Sequence, residues 1–178
     1  MHLHTALSDQ RRHVLGIVSG LTEEELRRPV LPSGWSCLGL VNHLALDVEL
    51  FWFRAVVAGE GAAISELATV GNAWEVGPDV PASAVIDRYR RETSRASAII
   101  ESVSLDAPPA WWPDDLFGSW RLSSNFEVLL HVLTETACHA GHLDAARELL
   151  DGKQWLVLTA GPVPSGMAVS GPHTPSTM

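Results

Sequence analysis

The segment HVLTETACHAGHLDAARELL, residues 131–150, decides the fold prediction because its apolar and polar residues recur at the spacing of an α-helix. One polar stripe of this segment contains the ionisable residues His131, Glu135, His139 and His142. Their offsets of four, four and three residues keep them on one face of a helix with about 3.6 residues per turn. Ionisable groups on an otherwise mostly apolar helix are costly to bury unless something satisfies them, and a metal ion does so. The stripe therefore predicts a helix that carries a ligand-binding face.

Four long helical patterns follow one another along the chain, and they predict an all-α fold, a helix bundle. Their predicted extents are residues 5–19, 37–59, 81–103, and a last helix from a cap at Ser123 or Ser124 to Gly152. The connections of about 20 residues between the second, third and fourth patterns are too long for hairpin loops. The expected architecture is therefore a four-helix bundle with long crossover connections.

Local signals mark several helix ends. Thr22 precedes Glu25 at the spacing of a capping box, and Ser36 is a natural N-cap for the second long helix, which Gly59 ends. Residues 60–80, rich in Gly and Ala, are expected to be a connection, and the sequence leaves its structure open. In the segment 106–121, prolines and three tryptophans argue against a regular helix, and these tryptophans are candidates for the mouth of a pocket.

The expected domain organisation is one bundle over residues 1–152 followed by a Gly/Pro-rich tail, residues 153–178. The stretch WLVLTA, residues 155–160, is the one short strand candidate. Cys37 and Cys138 lack CxxC spacing and are expected to be buried, reduced thiols.

The net charge of −9, from 12 Lys and Arg against 21 Asp and Glu, argues against a nucleic-acid partner. The basic clusters, including Arg11 with Arg12, are therefore expected to be solvated helix faces. No segment has the length of a membrane span or the apolar core of a signal peptide, so a cytoplasmic protein is expected.

Glu135 and His139 are suitable for two ligands of one metal ion, since their spacing places both side chains about 6 Å apart on one helix face. His43, in the second helix, is the best candidate for a third ligand. Two imidazoles and one carboxylate suit Zn, Ni or Fe better than Mg or Ca, and three protein ligands leave a position open for substrate.

Other interpretations of these residues are open. A single histidine on an apolar helix face, such as His43, is more often a core residue with its hydrogen bonds satisfied than a metal ligand. Glu135 with His139 could be a hydrogen-bonded pair. His131 and His142 could orient a ligand, line a pocket or lie at the surface, and Asp47 is more simply a solvated group than a ligand.

The segments LTEEELRRPVLPSGWSCLGLVNHLALDVELFWF, residues 21–53, and HVLTETACHAGHLDAAREL, residues 131–149, together resemble the DinB-like superfamily, and within it the mycothiol S-transferase group. The resemblance covers roughly residues 5–152. It implies a DinB-like four-helix bundle and a divalent-metal site whose ligands fall on His43, Glu135 and His139. Zn is the first expectation for the metal, with Ni, Fe or Mn as alternatives. A homodimer is an analogy only.

The resemblance also implies a function. Metal binding in the open position favours the thiolate of a small thiol, here mycothiol or a similar compound, which attacks an electrophile. His142 or His131 would orient a ligand or move a proton. Alternatives are a thiol-dependent isomerase, a metal-assisted hydrolase, or a non-catalytic metal or small-molecule binding protein.

Overall fold

The computed structural model describes residues 3–155, and within that range it consists of helices and connecting loops without strands. The helices are α1 Leu3–Val18, α2 Glu23–Arg27, α3 Cys37–His43, π1 Leu44–Val57, α4 Gly61–Leu67, α5 Ala82–Ser102, α6 Asp114–Phe117 and α7 Asn125–Asp151. The all-α prediction is therefore confirmed. The tail beyond Trp155, with most of the strand candidate, lies outside the described residues.

The predicted caps form through local hydrogen bonds. The Thr22 hydroxyl accepts from the backbone N–H of Glu25, whose carboxylate accepts from the backbone N–H of Thr22, so the capping box is complete. Ser36 caps α3, and of the two serines considered for α7 it is Ser124 that caps the helix. Such bonds satisfy backbone donors that the first turn leaves open, which explains why the helices begin at these residues.

The core lies between two pairs of long helices. α1 packs along α7, π1 packs along α5, and both α3 and π1 contact α7. The largest fully buried side chains include Leu7, Ile17, Leu40, Phe53, Tyr89 and Leu143. Because α3 and α7 touch, the second and fourth predicted helices bring their polar residues to one place.

The second long helix is one continuous rod, as predicted, but its hydrogen bonding changes at Leu44. From Leu44 to Val57 it is a π-helix, wider than the α-helix that precedes it, because its bonds close over five residues instead of four. In this wider helix, residues four and five apart share a face, and Asp47, Phe51 and Trp52 line a common cleft. Local sequence patterns do not mark this change.

The interpretation of the basic clusters as solvated is wrong for Arg11. Its side chain is buried and donates to both carboxylate oxygens of Glu49, at 2.7 and 2.6 Å, and to Ser97. These hydrogen bonds offset the cost of burying the guanidinium group. A second buried arginine, Arg54, pairs with Glu92 at 3.2 Å. We call the residues Arg11, Glu49, Arg54 and Glu92 the ion-pair layer.

The structure defines one segment that the sequence left open and corrects two smaller expectations. The connection 60–80 contains the short helix α4, and the Trp-rich segment contains α6, a single turn that fits between Pro113 and Gly118. Cys138 is exposed on α7, whereas Cys37 is buried as expected; both are free thiols. In the part of the chain that the structure describes, no helix is both long and apolar enough to cross a membrane.

Candidate metal centre

Three potential ligands converge where α3 meets α7. His43 is the last residue of α3, and Glu135 and His139 lie one turn apart on α7. One ligand atom from each residue lies within 4.8 Å of the other two. Glu135 Oε1 is 3.3 Å from His139 Nε2 and 3.8 Å from His43 Nε2. We call these residues the metal cluster.

One ligand atom of the metal cluster is left unsatisfied, although Glu135 and His139 share a hydrogen bond of 3.3 Å. His43 Nε2 is buried and has no hydrogen-bond partner among the described residues, because Glu135 is too far away for a hydrogen bond. A buried nitrogen without a partner is costly, and a cation at the point where the three ligand atoms converge would satisfy it. Two imidazoles and a carboxylate are a common donor set for Zn and neighbouring transition metals. The residues present therefore fit a divalent transition metal.

Both histidines of the metal cluster have a side-chain contact at Nδ1, the ring nitrogen that faces away from the cluster. His43 Nδ1 is 2.9 Å from Asp47 Oδ2, and His139 Nδ1 is 3.4 Å from His142 Nδ1. Each ring thereby keeps its Nε2 atom toward the cluster, an arrangement that fixes the tautomer and orientation of metal-binding histidines. Asp47 and His142 thus contact the histidines and are not members of the cluster itself.

The electrostatics of the metal cluster follow from these contacts. The hydrogen bond from His139 and then the contact with His43 at 3.8 Å lower the pKa of Glu135 well below its ordinary value. Burial lowers the pKa of His43, but the carboxylates of Asp47 and Glu135 outweigh it, and the net pKa is raised. Burial lowers the pKa of His131, which keeps its imidazole neutral near pH 7.

Trp74 forms one wall of the metal cluster, although the sequence patterns place it only in a connection. Its ring stacks on His43 with centroids 4.2 Å apart, and it also meets His139 edge-on at 5.7 Å. A side chain at Gly39 would put a Cβ atom 2.2 Å from the Trp74 carbonyl oxygen, so only glycine permits this approach. Asn42 Nδ2 holds the same loop by donating to the Ala73 carbonyl at 2.8 Å.

One cleft is lined in part by Glu135 of the metal cluster, and a second is lined by Trp74, which stacks on His43. The aromatic cleft has a volume of about 270 Å³ and is lined by Asp47, Phe51, Trp52, Leu116, Phe117, His131 and Glu135. The Trp35 cleft has a volume of about 300 Å³ and is lined by Ser33, Gly34, Trp35, Asn72, Trp74 and Glu75. The structure therefore brings His131 into the aromatic cleft, whereas His142 lies 6.4 Å from the ring of Trp35.

The tryptophans proposed for a pocket mouth pack around the aromatic cleft without lining it. Trp112 is buried, and Trp120 is exposed with its ring 5.7 Å from that of His131. Trp111 contacts Phe51 at 6.5 Å. The cleft wall itself is made by neighbours of these residues, Phe117 and Trp52.

A family model described as mycothiol-S-transferase matches residues 2–152, which include the bundle and every residue of the metal cluster. The chain belongs to the mycothiol S-transferase family. The resemblance seen in the sequence is confirmed. No curated protein and no solved structure gives a significant match. In this mycothiol S-transferase family member, the matched region also includes the residues that line both clefts.

Proposed function

We propose that the protein is a metal-dependent thiol S-transferase that conjugates mycothiol, or a similar low-molecular-weight thiol, to a small electrophile. The observation that carries the proposal is the convergence of three ligand atoms within 4.8 Å at a buried, unpartnered His43 Nε2. His43, Glu135 and His139 would hold the divalent cation, with Zn as the first candidate and Ni, Fe or Mn as alternatives. The cytoplasm, where such thiols stay reduced, is the compartment that suits this reaction.

The proposed transfer is a nucleophilic substitution. A free thiol has a pKa of about 8.5, and the bound cation would supply a Lewis acid that favours the thiolate near neutral pH. The thiol loses its proton, its sulfur forms a bond to an electrophilic carbon, and the bond from that carbon to the leaving group breaks. The leaving group departs with the electron pair. The products are a thioether and the protonated leaving group.

The residues around the metal cluster have different roles in the proposed reaction. We propose Asp47 and His142 as positioning residues, because they contact the Nδ1 atoms of His43 and His139. We propose His131 as the catalytic residue that accepts the thiol proton at a ring nitrogen, since its imidazole lies in the aromatic cleft and is kept neutral by burial.

The first test is the metal content of untagged protein, measured by elemental mass spectrometry on the wild type and His43→Ala. Near-stoichiometric metal in the wild type and none in His43→Ala would support the proposal. His13→Ala, a half-buried histidine outside the metal cluster, is the matched control and should keep its metal. Absence of metal after reconstitution with Zn, Ni, Fe and Mn would overturn the proposal.

The second test is thiol stoichiometry. A transferase consumes one thiol for each electrophile converted, whereas a thiol-dependent isomerase returns the thiol and a hydrolase does not need it. A metal-loaded protein that leaves both thiol and electrophile unchanged would instead be a binding protein.

The proposed functional unit is residues 1–152, with the tail 153–178 not required for metal binding. Trp155 packs against α1 at Gly16, so a truncation should retain it. A chain ending after Trp155 is expected to bind metal as the full chain does. Loss of metal from the folded truncated chain would contradict this division.

A further inference from the structure

We propose that a cleft between α3, α5 and the loop that precedes α5 binds a small organic phosphate. We call it the arginine cleft. Its volume is about 240 Å³, and its wall includes Asn42, Glu75, Val76, Val85, Arg88 and Arg91. Within residues 3–155, this wall shares no residue with the metal cluster or the aromatic cleft. The inference therefore concerns a second site and does not rest on the proposed reaction.

The cations of the arginine cleft, Arg88 and Arg91, have no partners. They lie three residues apart on α5, so their side chains leave from one face of the helix, where like charges repel. Neither forms an ion pair or a hydrogen bond with any of the described residues. The other arginines of the chain also lie in the described range, and each of them donates a hydrogen bond. Two adjacent cations without partners, in a chain of net charge −9, indicate a site for an anion.

The net charge of the arginine cleft is positive. Among the described residues of its wall, Glu75 is the one carboxylate, against the two guanidinium groups. The hydrogen bond that Glu75 accepts comes from Asn72 Nδ2, at 2.8 Å, and not from either arginine. Arg88 is half-buried, so its charge is screened less by solvent than that of a fully exposed arginine. An anion in this cleft would therefore be attracted more strongly than it is repelled.

The loop wall of the arginine cleft is fixed by contacts with α2. Arg27 donates to the backbone carbonyls of Gly77 and Val80. Glu23, which pairs with Arg27 at 2.7 Å, accepts from the backbone N–H of Ala82 at 3.0 Å. A wall that is already held in place has little freedom left to lose when a ligand binds. The cleft is therefore preorganised for a ligand.

The chemistry of the arginine cleft suits a phosphate monoester better than a carboxylate. Each guanidinium group can donate two parallel hydrogen bonds, so one arginine is enough for the two oxygens of a carboxylate. A phosphate monoester has three terminal oxygens and about two negative charges near pH 7, and can accept from both arginines. Val76, Val80 and Val85 offer apolar surface to its organic group. The volume lies just below the usual range of ligand pockets, which restricts the ligand to a small molecule.

The test measures binding of phenyl phosphate to the full-length, zinc-loaded protein by isothermal titration calorimetry, with benzoate as the matching carboxylate. Phenyl phosphate is expected to bind about tenfold or more tightly than benzoate. In the double variant Arg88→Gln with Arg91→Gln, the affinity for phenyl phosphate should fall about tenfold or more, because charge-assisted hydrogen bonds are lost.

The matched control is the double variant Arg12→Gln with Arg90→Gln. It removes the same charge from two exposed arginines that pair with aspartates outside the arginine cleft, and it should bind phenyl phosphate as the wild type does. Equal affinity of the two double variants, or binding of benzoate as tight as that of phenyl phosphate, would overturn the proposal.

A variant that gains affinity excludes unfolding as the cause of a loss. Glu75→Gln removes the carboxylate from the arginine cleft and keeps a side-chain oxygen that can accept from Asn72. Its affinity for phenyl phosphate should rise about threefold or more, since a like charge is removed. Glu148→Gln, an exposed glutamate on α7, should leave the affinity unchanged. An unchanged or lower affinity in Glu75→Gln would contradict the assignment to this cleft.

The metal cluster is the other place at which a phosphate could bind, because a cation there attracts anions. His43→Ala, which is expected to hold no metal, separates the two sites. Phenyl phosphate should bind to His43→Ala as it does to the wild type. Binding that is lost in His43→Ala but kept in Arg88→Gln with Arg91→Gln would place the phosphate on the metal and overturn the proposal.

Discussion

The ion-pair layer and the metal cluster are both sets of ionisable side chains on helices that pack around the core, yet their atoms are satisfied differently. In the ion-pair layer, Arg11 donates to both oxygens of Glu49 at 2.7 and 2.6 Å. In the metal cluster the shortest contact is 3.3 Å, and the Nε2 atom of His43 has no partner among the described residues. Buried charge alone therefore does not mark a functional site. What singles out the candidate metal site is a buried ligand atom without a hydrogen-bond partner, at a point where three possible ligand atoms converge.

The same comparison appears in the pKa values of the two glutamates. Burial raises the pKa of Glu49, although the charge of Arg11 opposes it. The hydrogen bond from His139 lowers the pKa of Glu135, which is partly exposed. The buried carboxylate of Glu49 is thus paired with Arg11, whereas the carboxylate of Glu135 is ionised and accessible to a ligand.

The largest expected effect is loss of metal from the metal cluster without loss of the fold. Glu135→Ala or His139→Ala should abolish metal binding because two ligands cannot hold the ion as three do. The metal-free variants should differ from metal-free wild type by less than about 1 kcal/mol in the free energy of unfolding, measured with urea. Glu148→Ala, an exposed glutamate on the same helix, is the control and should keep its metal. Full metal occupancy in both ligand variants would show that the ligand assignment is wrong.

The opposite pattern is expected in the ion-pair layer. Arg11→Met leaves the buried carboxylate of Glu49 without its partner, which should cost about 3–5 kcal/mol in the free energy of unfolding. The folded fraction should still bind metal. The double variant Arg11→Met with Glu49→Leu removes both charges and should regain most of the loss. A loss below about 1 kcal/mol for Arg11→Met would mean that the pair does not support the fold.

A smaller effect on metal affinity is expected from Asp47, which contacts His43 without belonging to the metal cluster. Asp47→Asn weakens the hydrogen bond that orients His43, and the affinity for zinc should fall about 10–100-fold. A competition titration with a chelator measures this affinity. Asp106→Asn, an exposed aspartate away from the site, provides the comparison. If the two variants bind zinc equally, Asp47 has no positioning role.

The smallest expected effect is the pH dependence of the metal-free protein. The pKa of His43 is raised above 6.5, because the contacts with Asp47 and Glu135 outweigh burial. Its contribution to stability is therefore complete below pH 6.5 and is lost as pH rises through the folded pKa. The pKa of Glu135 is lowered below 4.5, so its contribution is present above pH 4.5 and is lost on acidification.

Urea unfolding at about pH 5.5 and about pH 8.5 tests this sign. The metal-free wild type should lose more stability on going to the higher pH than His43→Gln does. An equal change in the free energy of unfolding between the two pH values in both proteins would contradict the assignment of this pH dependence to His43.

Features that depend on near neighbours in the chain could be predicted from the sequence. The caps at Thr22, Ser36 and Ser124 use backbone groups within three residues, and Glu135 with His139 use the helix repeat. The all-α class follows from the same repeat.

Features that depend on distant partners could not be predicted in this way. Arg11 looks like a surface residue until Glu49, 38 positions further along, is placed against it. Trp74 has no helical repeat around it, and its place on His43 depends on the absent side chain of Gly39. The third candidate ligand, His43, is intermediate: composition singles it out, but the contact of α3 with α7 is what brings it to Glu135.

The stack of Trp74 on His43 also has an optical consequence. Indole fluorescence is sensitive to a charge beside the ring, and the His43 imidazole is centred 4.2 Å from that of Trp74. Emission from Trp74 should therefore change when the proton on His43 is exchanged for a metal ion. The difference between wild type and Trp74→Phe would isolate this emission from that of the other tryptophans among the seven in the chain. The protein thus carries its own spectroscopic reporter of what its binding site holds.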